Sequence, residues 1–408
     1  MNRLKEKRVV ITGLGVVSSI GIGKADFWNN LINGKSGISE ISSFDTSEFS
    51  NHYGGEIKNF NAEDFVDKFK INKFNRAYCL ATAAAKLALS DAKLDTKNLD
   101  TREMGICFGT TMGESEILKE LNDKWLYSGI DALNPNLIPQ YPCNSISLNL
   151  AKDFSLKGPN YVIPTACAAG NYSIGYAYDL IRLGNTEMMI AGGADGFSRI
   201  AFIGFNRMFA VAPKICQPFD KNRRGMMVGE GAGMVILETL ESAEKRKADI
   251  YAEILGYGLS ADAHHMTAPE ANGISQAIKK ALKEADLRPE EIDYFNAHGT
   301  GTSANDREEC LAIKNVFGGF YKKLPVSSIK SMLGHTMGAA SAIETVAVSL
   351  VVKHDIIPPT INYETPDPDC DIDCVPNMSR QKKVNIALNN ASAFGGNNAC
   401  LVLKKFNN

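Results

Sequence analysis

Short β-branched runs alternate with longer runs of helical period along this chain. KRVVITGLG (7–15) predicts a strand, and ADFWNNLING (25–34) a helix. NRAYCLATAAAKLALSDAKL (75–94) predicts an alanine-rich helix, and EMGICFGTTMG (103–113) a buried strand ending in glycine and threonine. EMMIAGGADG (187–196) and GAGMVILETL (231–240) read as further strands. The same grammar then restarts. IYAEILGYG (250–258) is a strand, ISQAIKKALKEADL (274–287) an amphipathic helix, and IDYFNAHGTGT (292–302) a strand. LPVSSIKSMLGH (324–335) follows as strand and loop, and AASAIETVAVSLVVKHD (339–355) as a helix. Alternation of this kind predicts an α/β fold with largely buried sheets. AFGGNNACLVL near the end echoes GEGAGMVILE in the middle. A duplicated α/β unit accounts for the echo, with halves expected at 1–255 and 256–408.

Composition narrows the class. The 408 residues are 44% hydrophobic, enough for a large core and two domains or one doubled one. Net charge is −2, so no global field recruits nucleic acid or a membrane surface. Nine cysteines, an odd number scattered over a long chain, suit a reducing cytoplasm better than a disulfide framework. The basic start is followed by too short an apolar run for a signal peptide, and no run of about eighteen apolar residues predicts a membrane span.

One cysteine stands out. VIPTACAAGNYSIGYAYDLIRLG (162–184) sets Cys167 among small residues, after an extended run and before a long helix with almost no charge. A helix apolar on nearly all sides lies inside a large protein. Cys167 is therefore expected at the start of a buried helix, where free N–H groups and the helix dipole favour a thiolate. A merely buried cysteine is the alternative.

Other motifs carry less. GLGVVSSIG lacks the third glycine of a dinucleotide loop and reads as a tight strand-to-helix turn. Cys370 and Cys374 in CDIDC have no second pair at metal-binding spacing. No Walker loop or serine elbow is present. Two of the six histidines are set apart from the rest. His298 follows a strand in NAHGTGT, and His335 lies in KSMLGHTMGAA before a small-residue helix entrance. Both are loop positions at strand ends, where α/β proteins place their sites. One cysteine and two histidines fit a cysteine hydrolase, a zinc site, or a decarboxylating acyl transfer. In the third, Cys167 holds an acyl thioester. Two neutral imidazoles then stabilise the enolate left when a malonyl unit loses carbon dioxide, and backbone N–H groups, one of them that of Cys167, form an oxyanion hole.

TACAAG, AHGTGT and KSMLGHTMGAA, in this order and at these separations, resemble the signature blocks of the decarboxylating β-ketoacyl-acyl-carrier-protein synthases, most closely the synthase II branch. DKNRRGMMVGEGAGMVILE, DAHHMTAPE and FGGNN agree with the same family. The resemblance implies a thiolase fold, a duplicated α/β unit in five layers (αβαβα), working as a dimer. It implies Cys167 as nucleophile, His298 and His335 as the decarboxylation pair, and Lys330 as the active-site lysine, ordering that pair together with Glu344. Thr300 and Thr302 are similar to threonines that hydrogen-bond the phosphopantetheine arm of the carrier substrate. Phe394 resembles the gating phenylalanine whose N–H completes the oxyanion hole, and Met112 a position at the base of the acyl pocket. Arg207 and Lys70 are implied contacts for an acidic acyl carrier protein. The family needs no cofactor or metal of its own.

The last block departs from that pattern. Where the family reads NSFGFGG, this chain reads NASAFGG: Ser392 replaces a phenylalanine and Ala393 a glycine. Alanine stiffens a gate that glycine lets swing, and serine removes an apolar face from the acyl site. A specialised type II polyketide or aryl-polyene ketosynthase, extending unsaturated chains alone or beside a homologous chain-length factor, is the alternative. A non-catalytic partner characteristically lacks the cysteine, which is present here.

Overall fold

The computed structural model describes residues 6–71, 75–96, 101 and 104–407. Ten strands make up most of one eleven-stranded sheet. The first half supplies β1 (Val9–Ser18), β2 (Met104–Gly109), β3 (Asn160–Ile163), β4 (Met188–Asp195) and β5 (Gly231–Thr239). The second supplies β6 (Ala252–Ala261), β7 (Tyr294–Asn296), β8 (Val326–Ser327), β9 (Ile386–Ser392) and β10 (Asn397–Lys405). The spatial order is β1-β5-β4-β2-β3 in one half and β6-β10-β9-β7-β8 in the other. Strand directions agree as well. Two antiparallel pairings are followed by two parallel ones in each half. The duplication expected from a short sequence echo is therefore complete at the level of topology. The halves join where β1 pairs antiparallel with β6 at Val9–Ile254, Val10–Glu253 and Ile11–Ala252.

The division expected at residue 255 falls inside β6, which already begins at Ala252. The strand signal IYAEILGYG is continuous there, and the break in the chain comes earlier, in the turn after the short helix Leu240–Lys245.

Helices α1 (Arg76–Asp91), α2 (Ser115–Ser128), α3 (Ala169–Arg182), α4 (Arg199–Arg207), α5 (Ala271–Glu284), α6 (Ser303–Phe317) and α7 (Ala340–His354) complete the layers used here. α1 covers the outer face of the first half, and α5 with α6 that of the second. α3 and α7 pack together between the halves. Every residue of α7 from Ala340 to Val352 is buried, and all of them but Glu344 are apolar or small. The α3–α7 crossing is close because Gly170 has no side chain. A Cβ there lies 2.4 Å from the Ala342 nitrogen. No helix among the described residues is long and apolar enough to cross a membrane.

Candidate active site

The central helix pair brings the two halves of the site together. Cys167 lies in a single 3-10 turn, Ala166–Ala168, between β3 and α3. The chain enters that turn through Ala166 in the left-handed region, φ 49°, a conformation uncommon for a residue with a Cβ. Burial pushes the Cys167 thiol up to about 12, against the Lys330 charge and the Phe394 and Cys167 N–H groups, which pull it down. The thiol therefore keeps its proton at rest, contrary to the expectation of a dipole-favoured thiolate. The magnitudes explain why. A helix terminus contributes about 1 kcal/mol, whereas a rise from 9.0 to about 12 corresponds to about 4 kcal/mol. The two N–H groups at the sulfur, those of Phe394 and Cys167, are the pair expected to form an oxyanion hole.

His298 follows β7, and α6 fixes its loop. Glu309 accepts from the His298 and Gly299 N–H groups at 2.7 and 2.8 Å, and from Asn390 Nδ2 at 2.7 Å. Asp306, one turn earlier, accepts from Phe219 N at 2.9 Å and Gly301 N at 3.2 Å. Both carboxylates are fully buried. Sequence reading missed them. Their signal was the i, i+3 acidic spacing in SANDREEC immediately after the histidine loop.

His335 lies 5.3 Å from His298 between ring centroids, with the rings almost perpendicular at 81°. Its Nδ1 accepts from Met337 N at 3.1 Å, so the proton of the neutral ring resides on Nε2. Burial and the Lys330 charge hold both histidines well below the ordinary value, leaving them neutral donors. Lys330 pairs with Glu344 in a fully buried ion pair, and burial raises Glu344 to about 7. Glu344 Oε2 has no hydrogen-bond partner among the described residues.

One cleft gathers Cys167, His298, His335, Thr300, Thr302 and Phe394. The two threonine hydroxyls lie 2.9 Å apart at its side. The Phe394 ring packs against Phe205 of α4, which also faces the cleft, with centroids 5.6 Å apart and the planes tilted at 51°. Ser392 and Ala393 line it too. The Ser392 hydroxyl is buried without a partner among the described residues. Ala393 takes no left-handed φ, whereas Gly395 and Gly396 do, at 85° and 75°, so the turn of the gate lies beyond the substituted position.

The remaining sequence candidates stand apart. Met112 is not a lining residue of the cleft; it sits on the loop after β2, where its N–H donates to Asp195 at 2.9 Å. Arg207 is exposed at the end of α4, the helix that carries Phe205 to the cleft. Lys70 is ion-paired with Asp153. No group of three or more His, Cys, Asp or Glu among the described residues could hold a metal ion, and Cys370 and Cys374 pack in the apolar core of the second half.

Comparison with known proteins gives the arrangement a context. Residues 6–243 match the family model for the beta-ketoacyl synthase N-terminal domain, and residues 251–364 that for its C-terminal domain. The chain is 41% identical, over the full length of both, to a 3-oxoacyl-acyl-carrier-protein synthase 2 of Synechocystis sp.. Among solved structures it superposes with a TM-score of 0.95 on the ishigamide ketosynthase/chain length factor, at 44% identity over 98% of this chain and 100% of that one. It superposes with a TM-score of 0.91 on a type II PKS acyl-carrier protein in complex with its ketosynthase bound to the hexaketide, at 33% identity over the same shares.

Proposed function

This chain belongs to the β-ketoacyl synthase family, and we propose that it joins an acyl group to a malonyl unit carried on an acyl carrier protein. The observation that carries this reading is one cleft in which a buried thiol meets two neutral imidazoles. In the first step Cys167 Sγ attacks the acyl thioester. The acyl group moves to the sulfur, and the carrier thiol leaves with the proton. The malonyl carrier then enters along Thr300 and Thr302, whose hydroxyls offer hydrogen bonds to its pantetheine arm. Cleavage of the bond to the carboxylate releases carbon dioxide and leaves the electron pair as an enolate. The Nε2–H of His335 and the facing imidazole of His298 stabilise the enolate oxygen. The carbanion attacks the acyl carbonyl, whose oxyanion the Phe394 and Cys167 N–H groups receive. The C–S bond breaks, its electron pair returns to Cys167 Sγ, which takes a proton from solvent, and a β-ketoacyl carrier two carbons longer departs. Lys330 and Glu344 fix the surroundings of the histidine pair. A hydrolase leaves one histidine without a task, and a scaffold needs no cysteine.

The partner is an acyl carrier protein, approaching over Arg207 beside the cleft, while Lys70 is already neutralised by Asp153. A second copy of the chain covers the edge strand β3 and the apolar surface of α2. That surface exposes Trp125, Leu126 and Tyr127 at 57%, 65% and 85%. A second reading, extension of polyunsaturated chains in a polyketide or aryl-polyene pathway with a homologous chain-length factor as partner, is favoured by the buried Ser392 hydroxyl where the family pattern has a phenylalanine. One experiment separates the two readings. The purified protein receives malonyl-carrier with competing saturated and polyunsaturated acyl-carriers, and products are read by mass spectrometry. Two-carbon-longer saturated products support fatty-acid elongation, and products from the unsaturated set alone support the second reading. Cys167→Ala is expected to form neither acyl-enzyme nor product; a variant that still condensed would overturn the assignment.

A further inference from the structure

The repeat places a second constellation opposite the catalytic one. Asn296 of β7 pairs with Asn389 of β9, and Phe108 of β2 pairs with Gly192 of β4. Two residues beyond Asn296 is His298, and two beyond Phe108 is Thr110. The last residue of β9 is Ser392, and the last of β4 is Asp195. Each is followed two positions later by a phenylalanine, Phe394 and Phe197. The helix entrances repeat as well. Thr165, with φ −102° and ψ 43°, precedes left-handed Ala166 and the turn that holds Cys167. Thr336, with φ −88° and ψ 29°, precedes left-handed Met337 and a turn that holds Gly338. Cys167 of the first half, with His298 and Ser392 of the second, thus corresponds to Gly338 of the second half, with Thr110 and Asp195 of the first.

The counterpart position is occupied by a side chain of the protein. The Asp195 carboxylate fills it, fully buried, with two donors on each oxygen. Thr110 Oγ1 and Met112 N donate to Oδ1 at 2.7 and 2.9 Å. Thr111 N and Gly338 N donate to Oδ2 at 2.8 and 2.7 Å. Gly338 is needed for this approach, because a Cβ there lies 2.6 Å from the Thr110 carbonyl carbon. Gly338 belongs to the same turn as Met337, whose N–H fixes the tautomer of His335. The carboxylate also acts on the reaction centre directly, since its charge raises the Cys167 thiol.

We infer that Asp195 is a positioning residue that locks the Met112 loop and the His335 turn into one unit, so that the geometry of the decarboxylation site is set by this buried carboxylate. The inference rests on the condensation proposed above for its kinetic consequences, but not for its structural ones. An amide at this position offers one acceptor oxygen to four donors, and its own N–H groups face two of them. Displacement of both segments follows, and misplacement of a catalytic group on the scale of an ångström lowers turnover by up to about a hundredfold.

The test uses Asp195→Asn and the milder Thr110→Val, which removes one donor and keeps the three backbone ones. Hydrogen exchange followed by mass spectrometry is expected to show lost protection in both 110–113 and 335–340 for each variant, more strongly in Asp195→Asn. Loss in only one segment, or in neither, overturns the coupling, whatever the enzyme does. In kinetics, kcat for malonyl-carrier decarboxylation is expected to fall by about tenfold or more in Asp195→Asn, with little change in KM. The same change recurs, smaller, in Thr110→Val, and that substitution adds little to Asp195→Asn because the two share one contact. Folded variants with the wild-type kcat overturn the inference. A wild-type protein that makes no condensation product overturns the proposed function instead, while the exchange result still decides the coupling.

Discussion

Cys167, His298 and His335 are uncharged at neutral pH because burial penalises the charged form of each. Two predictions follow from their protonation. The Cys167 thiol, raised to about 12, is expected to react with iodoacetamide at a rate that still climbs at pH 10. A plateau between pH 7 and 8 would show a stabilised thiolate instead. The histidines, held well below their ordinary value, stay neutral in the folded chain while the unfolded chain takes up protons below about pH 6.5. Stability therefore falls as pH drops through that window, by about 1.4 kcal/mol per unit for each histidine. Raised Glu344 works in the opposite sense, so the comparison must be with a variant carrying Asn at both histidine positions. Urea midpoints at pH 7 and pH 5.5 are expected to converge in that variant; an unchanged difference would mean that the imidazoles are already charged.

At the scale of elements, the site depends on how closely α3 and α7 cross. Gly170 makes that crossing possible, three residues after the nucleophile. Gly170→Ala inserts a methyl group against the backbone of Ala342. It is expected to cost about 1–3 kcal/mol by urea unfolding, with acyl transfer falling because the Cys167 turn moves with the helix. Wild-type stability and turnover in this variant would mean that the helices can separate freely. The elements were largely legible in advance. The helix after Cys167 announced itself by apolar residues on nearly every face, AASAIETVAVSLVVKHD by its length, and the strands by β-branched runs. The helices Ser115–Ser128 and Ser303–Phe317 were not singled out. Their faces are mixed: Glu309 and Asp306 are buried on the latter through backbone donors that belong to another segment. Local sequence shows such carboxylates as solvated until the fold supplies the donors.

At the scale of the whole molecule, the unpaired edge β3 and the apolar surface of α2 predict a dimer. Light scattering is expected to give twice the mass of one chain, and Trp125→Asp with Tyr127→Asp should give a monomer with lowered activity. A wild-type monomer that condenses at full rate would remove the need for a second copy, while activity appearing only on adding a homologous chain would favour the chain-length-factor pairing. The repeat itself is a property of the whole. Its two halves share strand order and direction, yet only one of the two equivalent entrances carries a thiol.

The sequence by itself determined the α/β class, the doubled grammar and the three blocks holding Cys167, His298 and His335, because periodicity and short motifs are local. It put the join of the halves at residue 255, which lies within β6 (Ala252–Ala261). Tertiary structure alone decided the charge state of Cys167, the tautomer of His335, the pairing of Lys70 with Asp153 and the four donors on Asp195. The tautomer of His335 depends on the left-handed turn that brings the Met337 N–H to its ring, and each of the others depends on burial or on a partner brought from far along the chain. Desolvation and long-range hydrogen bonds exist only once two central helices have brought the halves together.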